Sequence, residues 1–341
     1  MKKKLLALGL AGMMMLGALA GCGGGDAATG DANGDAAQAG DAAGGDNGGK
    51  LKIAMSIAQR DQYLTNMEKA MTPYAESKGV EFKVFDANGD ISAQIGQVQT
   101  ASADKYDATI VVLVNNDAAA EVLQAAGDMP VAFVNRMPTD VSILDGKKAT
   151  YVGSNELDSG KMQAEYLAEY FKEKNITAPK IVLFQGPLGQ DSVVKRTQSF
   201  KQGLEDAGLT AEYVYEDTAE WDRAKAMDKF TQFLGSGKEF DAVVCNNDDM
   251  ALGCIEAYTA SGTTEIPVPI VGIDATETGC EAIKAGTMAF TVFQNPKAQG
   301  EGAIDAAMSM AKGEDVANIE DGVVWIPFEP VSADNVADYM G

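Results

Sequence analysis

The chain has 341 residues, a formal net charge of −23 and no histidine. So acidic a surface repels nucleic-acid phosphates, which argues against DNA or RNA as a partner. Without histidine, acid–base or zinc chemistry would need unusual substitutes. The 46% of hydrophobic residues is nevertheless typical of a folded globular protein.

The first 21 residues have the pattern of an export signal. Lys2–Lys4 precede an apolar run that is too short for a comfortable membrane span. Leu19–Cys22 resembles the bacterial lipoprotein cleavage box, in which the cysteine becomes the lipidated first residue. We therefore expect Cys22 to anchor an extracytoplasmic protein to the cell membrane. An ordinary signal peptide with an incidental cysteine is the alternative.

Residues 22–49 follow as an acidic segment made almost wholly of Gly, Ala, Asp and Asn. No large apolar residue is available there for burial, so the segment is predicted to be a disordered tether. A flexible chain of this length spans roughly 30 Å root-mean-square. Such a tether would hold the folded part clear of the membrane.

The rest of the chain repeats one series of elements. Tyr106–Arg136 contains an apolar run, Asn-Asn-Asp, a helical pattern and a second apolar run, and Phe240–Asp274 has the same order. Upstream, Lys52–Asp86 and Lys180–Asp217 match as strand, polar loop, helix and strand. The repeat predicts two similar Rossmann-like α/β lobes with parallel sheets, and a cleft lined by strand-end loops.

The first lobe has two strand-end segments with polar side chains. A strand at Ile53–Ile57 precedes a loop that carries Asp61 and Tyr63, and a helix follows. The side chains of Asp61 and Tyr63 face the cleft if this loop faces it. Packing of the Tyr63 ring on the sheet is the alternative. The strand Val131–Val134 is followed directly by Asn135-Arg136.

In the second lobe, the apolar run of Phe240–Cys245 ends at Asn246–Asp249, which is followed by a helical pattern. Ligands of open parallel sheets bind outside the carboxyl ends of the strands, so these four polar residues are candidate contacts. The alternative is that Asn247 or Asp248 only caps the helix.

A Gly-rich loop, Gly186–Ser192, lies between a strand and the helix that carries Arg196. It has neither the GxxxxGK[ST] nor the GxGxxG spacing, so a nucleotide site is rejected. Trp221 lies between a strand and a helix and is flanked by charged residues, which a core position alone does not explain.

Besides Cys22, the thiols are Cys245, Cys254 and Cys280, and they lack the CxxC spacing. An odd number of cysteines cannot all pair internally. We expect small buried residues, with one disulfide among them as the alternative.

Five segments together resemble the glucose/galactose-binding proteins of bacterial sugar ABC importers, members of the ribose-type class I periplasmic binding proteins. They are Gly186–Thr197, Asp217–Asp222, Val243–Ala257, Gly272–Ala275 and Ala132–Arg136. The resemblance covers nearly all of 50–341 in one order. It implies the class I fold, an α/β architecture in which a three-segment hinge joins two Rossmann-like lobes.

The implied domain division is an N-terminal lobe of 50–154 plus 295–327 and a C-terminal lobe of 155–294 plus 328–341. The hinge is expected near 153–155, 294–296 and 327–330. Ligand would contact both lobes only in the closed form, which a membrane permease would recognise.

The resemblance also implies which residues bind the sugar. Hydrogen bonds to its hydroxyls are assigned to Asp61, Asn135, Arg196, Asn247 and Asp274. Tyr63 and Trp221 are placed against the two faces of its ring, where apolar C–H groups suit aromatic plates. Arg136, Gln190, Ser192 and Gln294 complete the predicted site.

Three site positions depart from the glucose/galactose pattern. Gln190 replaces a histidine, Ser192 an aspartate and Gln294 an asparagine, with Asp191 as a substitute one residue away from Ser192. Galactose or glucose is the expected ligand, and xylose, ribose or another polyol is the alternative. The calcium loop of the enteric members is missing, since Lys174–Pro179 has too few carboxylates. We expect no structural metal and no cofactor.

The predicted protein is thus a monomeric solute-binding lipoprotein that delivers a monosaccharide to ABC permease subunits. A sugar sensor that docks to a chemoreceptor or kinase is the alternative. A sugar-responsive repressor would carry a helix-turn-helix where this chain has its leader. A glycosidase would need two carboxylates flanking the bond, such as Asp61 and Asp274, but binding proteins use the same residues as acceptors.

Overall fold

Two six-stranded sheets organise the chain in a computed structural model that describes residues 50–263 and 265–340. The predicted signal segment, Cys22 and the tether lie outside these residues. The strands are β1 Lys52–Ile57, β2 Glu81–Asp86, β3 Ala108–Val111, β4 Val131–Val134, β5 Ala149–Gly153, β6 Lys180–Gln185, β7 Glu212–Thr218, β8 Ala242–Cys245, β9 Ile270–Val271, β10 Phe290–Gln294, β11 Val323–Trp325 and β12 Phe328–Ser332.

The predicted repeat is visible in the strand order. The first sheet runs β11-β5-β4-β3-β1-β2 and the second β12-β10-β9-β8-β6-β7, so each strand of one sheet has a counterpart in the other. The fold prediction is therefore confirmed: two α/β lobes contain mostly parallel sheets. The central strands read as continuous apolar runs, such as Val-Ala-Phe-Val in β4, because helices cover both faces of a parallel sheet.

Helices connect the strands, and most begin at an Asn, Asp or Thr whose side chain accepts a backbone N–H of the first turn. The helices are α1 Gln62–Ser77, α2 Ile91–Ala103, α3 Ala119–Ala126, α4 Glu156–Glu173, α5 Asp191–Asp206, α6 Arg223–Gly235, α7 Asp248–Ala260, α8 Glu277–Lys284 and α9 Pro296–Lys312. None of them is long and apolar enough to cross a membrane.

One strand departs from the expected parallel arrangement. β12 pairs antiparallel with β10, whereas every other pairing between the named strands is parallel. β11 ends at the cleft, and after Ile326 and Pro327 the chain enters the second sheet from its cleft edge, so it must run opposite to its neighbour. At the other two crossings, the chain runs back from the cleft through a helix, α4 or α9, before the next strand begins.

Local chemistry sets the bounds of two further elements. α4 begins at Glu156, because Asn155 caps it by accepting the Leu157 N–H. β9 has only two residues, since Pro267 and Pro269 lack the N–H that a longer strand would need.

Cys245, Cys254 and Cys280 are buried free thiols in the core of the second lobe. This agrees with the prediction of small buried residues.

Candidate functional site

All eleven side chains predicted for the site line one cavity between the two lobes. It surrounds about 380 Å³ of space free of protein atoms, which includes open solvent at its mouth. The first lobe contributes Asp61, Tyr63, Asn135 and Arg136, the second contributes Gln190, Ser192, Arg196, Trp221, Asn247 and Asp274, and the end of β10 contributes Gln294. Leu64 and Glu156, which were not predicted, also line the cavity.

Two polar residues of the first lobe are positioned by their own backbone chemistry. Asp61 caps α1, because its Oδ1 accepts the N–H of Leu64 at 2.8 Å. Asn135 has φ 65°, a left-handed conformation that Asn tolerates better than most residues. Its carbonyl accepts the hydroxyl of Tyr151 at 3.0 Å, and its amide donates to Gln299 at 3.3 Å. The side chain is therefore held at the cavity edge.

Arg136 and Asp61 form the charged part of the first-lobe wall. The buried guanidinium donates through Nη1 to the carbonyl of Leu113 at 2.9 Å. Burial lowers the pKa of Arg136, and the nearby Asp61 opposes that shift. Burial likewise raises the pKa of Asp61, while the hydrogen bond from Leu64 and the charge of Arg136 lower it. The two opposite charges thus partly balance each other.

Arg196 is the centre of the second-lobe wall. Its Nε donates to Glu156 Oε2 at 2.6 Å, its Nη1 to the carbonyl of Asn246 at 2.7 Å, and its Nη2 to Gln294 Oε1 at 3.3 Å. Burial lowers the pKa of Arg196, but the charges of Glu156 and Asp274 and the hydrogen bond to Glu156 raise it, and the pKa lies above its ordinary value. The guanidinium is a fixed cation that holds three neighbours in place.

Tyr63 and Trp221 both lie in the cavity wall and are almost fully buried. The indole Nε1 of Trp221 donates to Gln190 Oε1 at 3.1 Å, and the guanidinium of Arg196 lies 5.6 Å from the indole centre. A Cβ at Gly186 would lie 2.3 Å from the indole, so only glycine lets the ring occupy this place. Burial raises the pKa of Tyr63 well above its ordinary value.

Asp274 lies on a strained turn after β9. Its φ is 126° and that of Ala275 is 50°, values that a non-glycine residue rarely adopts. The carboxylate of Asp248 holds this turn, because it accepts the N–H of Thr276 at 2.8 Å and the hydroxyl of Thr291 at 2.6 Å. Burial raises the pKa of Asp274 well above its ordinary value, although Arg196 opposes the shift.

Of the Asn246–Asp249 loop, only Asn247 lines the cavity. It also caps α7, since its Oδ1 accepts the N–H of Met250 at 3.0 Å, so the capping role is confirmed and the ligand contact stays a prediction. Asp249 forms an ion pair with Arg223 at 2.7 Å. The carboxylate of Asp248 accepts the N–H of Thr276 in the turn that follows Asp274. The other three candidates do not line the cavity, because the start of a helix turns successive side chains in different directions.

Asp191 does not replace the aspartate that Ser192 lacks. It forms an ion pair with Lys195 at 2.8 Å, one helical turn along α5, and does not line the cavity. Ser192 does line it. The predicted substitution is therefore wrong, since adjacent residues of a helix point about 100° apart.

Glu156 is the charged cavity residue that sequence reasoning missed. It is the first residue of α4 and is 4% exposed. The signal that could have found it is a carboxylate placed directly after the Asn155 cap, where the chain crosses between lobes.

Two buried polar atoms in the cavity wall have no hydrogen-bond partner among the described residues: the hydroxyl of Tyr63 and the Nε2 of Gln294. Leaving such a group unsatisfied costs about 1–3 kcal/mol, which a bound hydroxylated molecule would recover. The cavity can therefore hold a small polar ligand by hydrogen bonds from both lobes.

Within 50–263 and 265–340, no group of three or more Cys, Asp or Glu side chains could hold a metal ion.

Known proteins share the sequence pattern and the fold of this chain. A family model of the periplasmic binding protein domain matches residues 53–315. A putative rhizopine-binding protein of Rhizobium meliloti is 37% identical over 285 residues, which are 82% of this chain and 89% of that protein. The D-galactose/methyl-galactoside binding periplasmic protein of Haemophilus influenzae is 29% identical over 296 residues, 82% and 88% of the two chains.

Among solved structures, an ABC transporter solute binding protein from Bacillus halodurans with bound myo-inositol is similar, with a TM-score of 0.78 and 35% identity. The match covers 87% of this chain and 99% of the other. Family match, sequence identity and shared fold lead to one conclusion: the chain belongs to the periplasmic binding protein domain family.

Proposed function

We propose that this protein is the extracytoplasmic solute-binding lipoprotein of an ABC importer and that it binds a neutral, polyhydroxylated six-membered ring in the interlobe cavity. The observation that carries the proposal is the cavity itself, in which buried polar groups of both lobes converge and some lack protein partners. The ligand would stabilise the closed form over the open one, and the closed form would dock to the permease.

The charges of the cavity favour a neutral ligand. It has three carboxylates, those of Asp61, Glu156 and Asp274, and two guanidiniums, those of Arg136 and Arg196. Arg196 pairs with Glu156, and Arg136 lies in the field of Asp61, so neither guanidinium is left to balance an anionic ligand. Hydroxyl groups can instead donate to the carboxylates and accept from the guanidiniums.

Among neutral rings, myo-inositol is the first candidate, because the similar structure that holds it is 35% identical to this chain. Galactose or glucose is the second, favoured by the two aromatic side chains in the cavity wall, Tyr63 and Trp221. The replacements at Gln190, Ser192 and Gln294 change the hydroxyl partners, which is where related sugars are discriminated.

Calorimetry and thermal shift of the purified protein against a panel test the proposal. The panel contains myo-inositol, galactose, glucose, ribose and xylitol, with an amino acid and an inorganic anion as controls. A ligand that binds the folded state alone raises the unfolding midpoint by mass action. A shift with the amino acid or the anion, and none with any neutral polyol, would show that the ligand class is wrong.

Catalysis and anchoring have separate tests. Incubation with aryl galactosides and glucosides should give no turnover, since the proposal treats Asp61 and Asp274 as plain acceptors. Cys22→Ala should release the protein from the membrane fraction or leave it unprocessed, because the thiol would be the site of lipid attachment. Unchanged membrane fractionation of this variant would contradict the lipoprotein assignment.

A permease and a sensory receptor would both recognise the closed form. Pull-down with permease subunits in the presence of ligand distinguishes them, since importer function requires a ligand-dependent complex. A ligand-dependent complex with a chemoreceptor or kinase alone would favour the sensor.

A further inference from the structure

Glu156 occupies a special place in the chain. It is the residue at which the polypeptide leaves the first lobe and begins α4 of the second, and its side chain reaches the cavity wall. Its exposed fraction is 4%, which is low for a carboxylate. A charge so deeply buried must be paired or used, because its desolvation is costly.

Only one of its two carboxylate oxygens is used by the protein. Oε2 accepts from Arg196 Nε at 2.6 Å, whereas Oε1 has no hydrogen bond among the described residues. The ion pair with Arg196 therefore accounts for the burial of one oxygen and leaves the other available to the cavity. An ionised carboxylate oxygen can only accept, so whatever meets Oε1 must be a donor.

Gln294 and Tyr63 also have polar atoms in the cavity wall without a hydrogen-bond partner among the described residues. Gln294 accepts Arg196 Nη2 at 3.3 Å through Oε1, while its Nε2 is buried and unpaired. The unpaired hydroxyl of Tyr63 is close enough that the charges of Glu156 and Arg196 both act on it. The wall of this one cavity thus contains three hydrogen-bonding atoms that the described residues leave without a partner, one each from Glu156, Gln294 and Tyr63.

We propose that Glu156 is a specificity-determining residue: its Oε1 accepts a hydrogen bond from a ligand hydroxyl and favours a ring that carries a hydroxyl on every carbon. The inference rests on the proposed function. The ring oxygen of a pyranose can only accept a hydrogen bond. If this oxygen faces Glu156 Oε1, two acceptors meet and no hydrogen bond forms. A cyclitol such as myo-inositol presents a donor at every position, so no orientation is penalised.

The test measures the dissociation constants of myo-inositol and galactose for the wild type and for Glu156→Gln, with competition titration for the weaker ligand. The glutamine keeps an oxygen for Arg196 and turns an N–H₂ donor toward the ligand. We expect the preference for myo-inositol over galactose to fall about tenfold or more, which corresponds to about 1.4 kcal/mol. A residue that only supports Arg196 would weaken both ligands equally, and that result would overturn the proposal.

Asp158→Asn is the matched control, because Asp158 is the other acidic residue in the first turn of α4 and is exposed. It should leave the preference unchanged. If Glu156→Gln does not fold, Glu156→Asp keeps the charge pair but withdraws the carboxylate by one methylene, so the preference should still fall. Failure of the wild type to bind either ligand would instead contradict the proposed function.

Discussion

Gln62 and Thr278 join the two lobes across the mouth of the cleft: Gln62 Nε2 donates to Thr278 Oγ1 at 2.9 Å. Gln62 is the first residue of α1, and Thr278 is in the first turn of α8. Because the two helices belong to different lobes, we expect this hydrogen bond to break when the lobes separate. It should therefore favour the closed form over the open one.

Gln62→Ala should weaken ligand binding without altering the cavity. A neutral hydrogen bond contributes a net stabilisation of about 0.5–1.5 kcal/mol, so the dissociation constant should rise about two- to tenfold. Calorimetry gives the affinity, and small-angle scattering gives the fraction of closed molecules. Gln202→Ala, which removes a hydrogen bond within α5, is the control. Equal affinities for the wild type and Gln62→Ala would show that the contact adds nothing to closure.

Asn247→Asp should separate the two roles of Asn247. The aspartate can still accept the N–H of Met250 and cap α7, but its carboxylate cannot donate to a ligand hydroxyl. We expect an unfolding midpoint close to that of the wild type and a loss of affinity of about 1–3 kcal/mol, or roughly tenfold to over a hundredfold. If the affinity is kept and the midpoint falls, Asn247 acts only as a cap.

Ligand addition should change the fluorescence of Trp221, which lines the cavity. Trp325 is the other tryptophan and is 43% exposed, so it contributes a background signal. Trp325→Phe should keep the ligand-induced change and Trp221→Phe should abolish it. Gly186→Ala should also reduce the affinity, because its Cβ would displace the indole. A change that survives in Trp221→Phe would place the ligand elsewhere.

Asp248 should make stability depend on pH. Burial raises its pKa to about 7, while hydrogen bonds from Thr291 and Thr276 lower it and the charge of Asp249 adds to the rise. Asp274 and Cys280 are the other titratable groups that interact with it.

The sign follows from proton binding. Between the unfolded pKa of about 4 and the folded pKa of about 7, the native state binds more protons than the unfolded state, so stability falls as pH rises. The free energy of unfolding of the wild type relative to Asp248→Asn should therefore decline over this interval. Urea unfolding at pH 4.5, 6 and 8 measures it, with Asp334→Asn as an exposed control. A difference that rises with pH would contradict the direction of the shift.

The architecture and many of the cavity-lining residues could be predicted from the residue pattern. The repeat of strand, polar loop and helix specifies two parallel α/β lobes, and loops after parallel strands must meet at one edge of each sheet. For this reason Asn135, Asn247 and Asp274 could be placed at the cleft from local order, and the family resemblance added residues such as Arg196 and Trp221.

The directions of individual side chains could not be predicted in this way, because they depend on packing. Asp191 and Ser192 are adjacent, yet one pairs with Lys195 and the other lines the cavity, because a helix turns each residue away from the last. The position of Glu156 after the Asn155 cap is visible in the sequence, but its ion pair with Arg196 of α5 at the cavity wall is visible only in the tertiary structure. Orientations at a helix start depend on packing between elements that are distant in sequence, and no local pattern of residues contains that information.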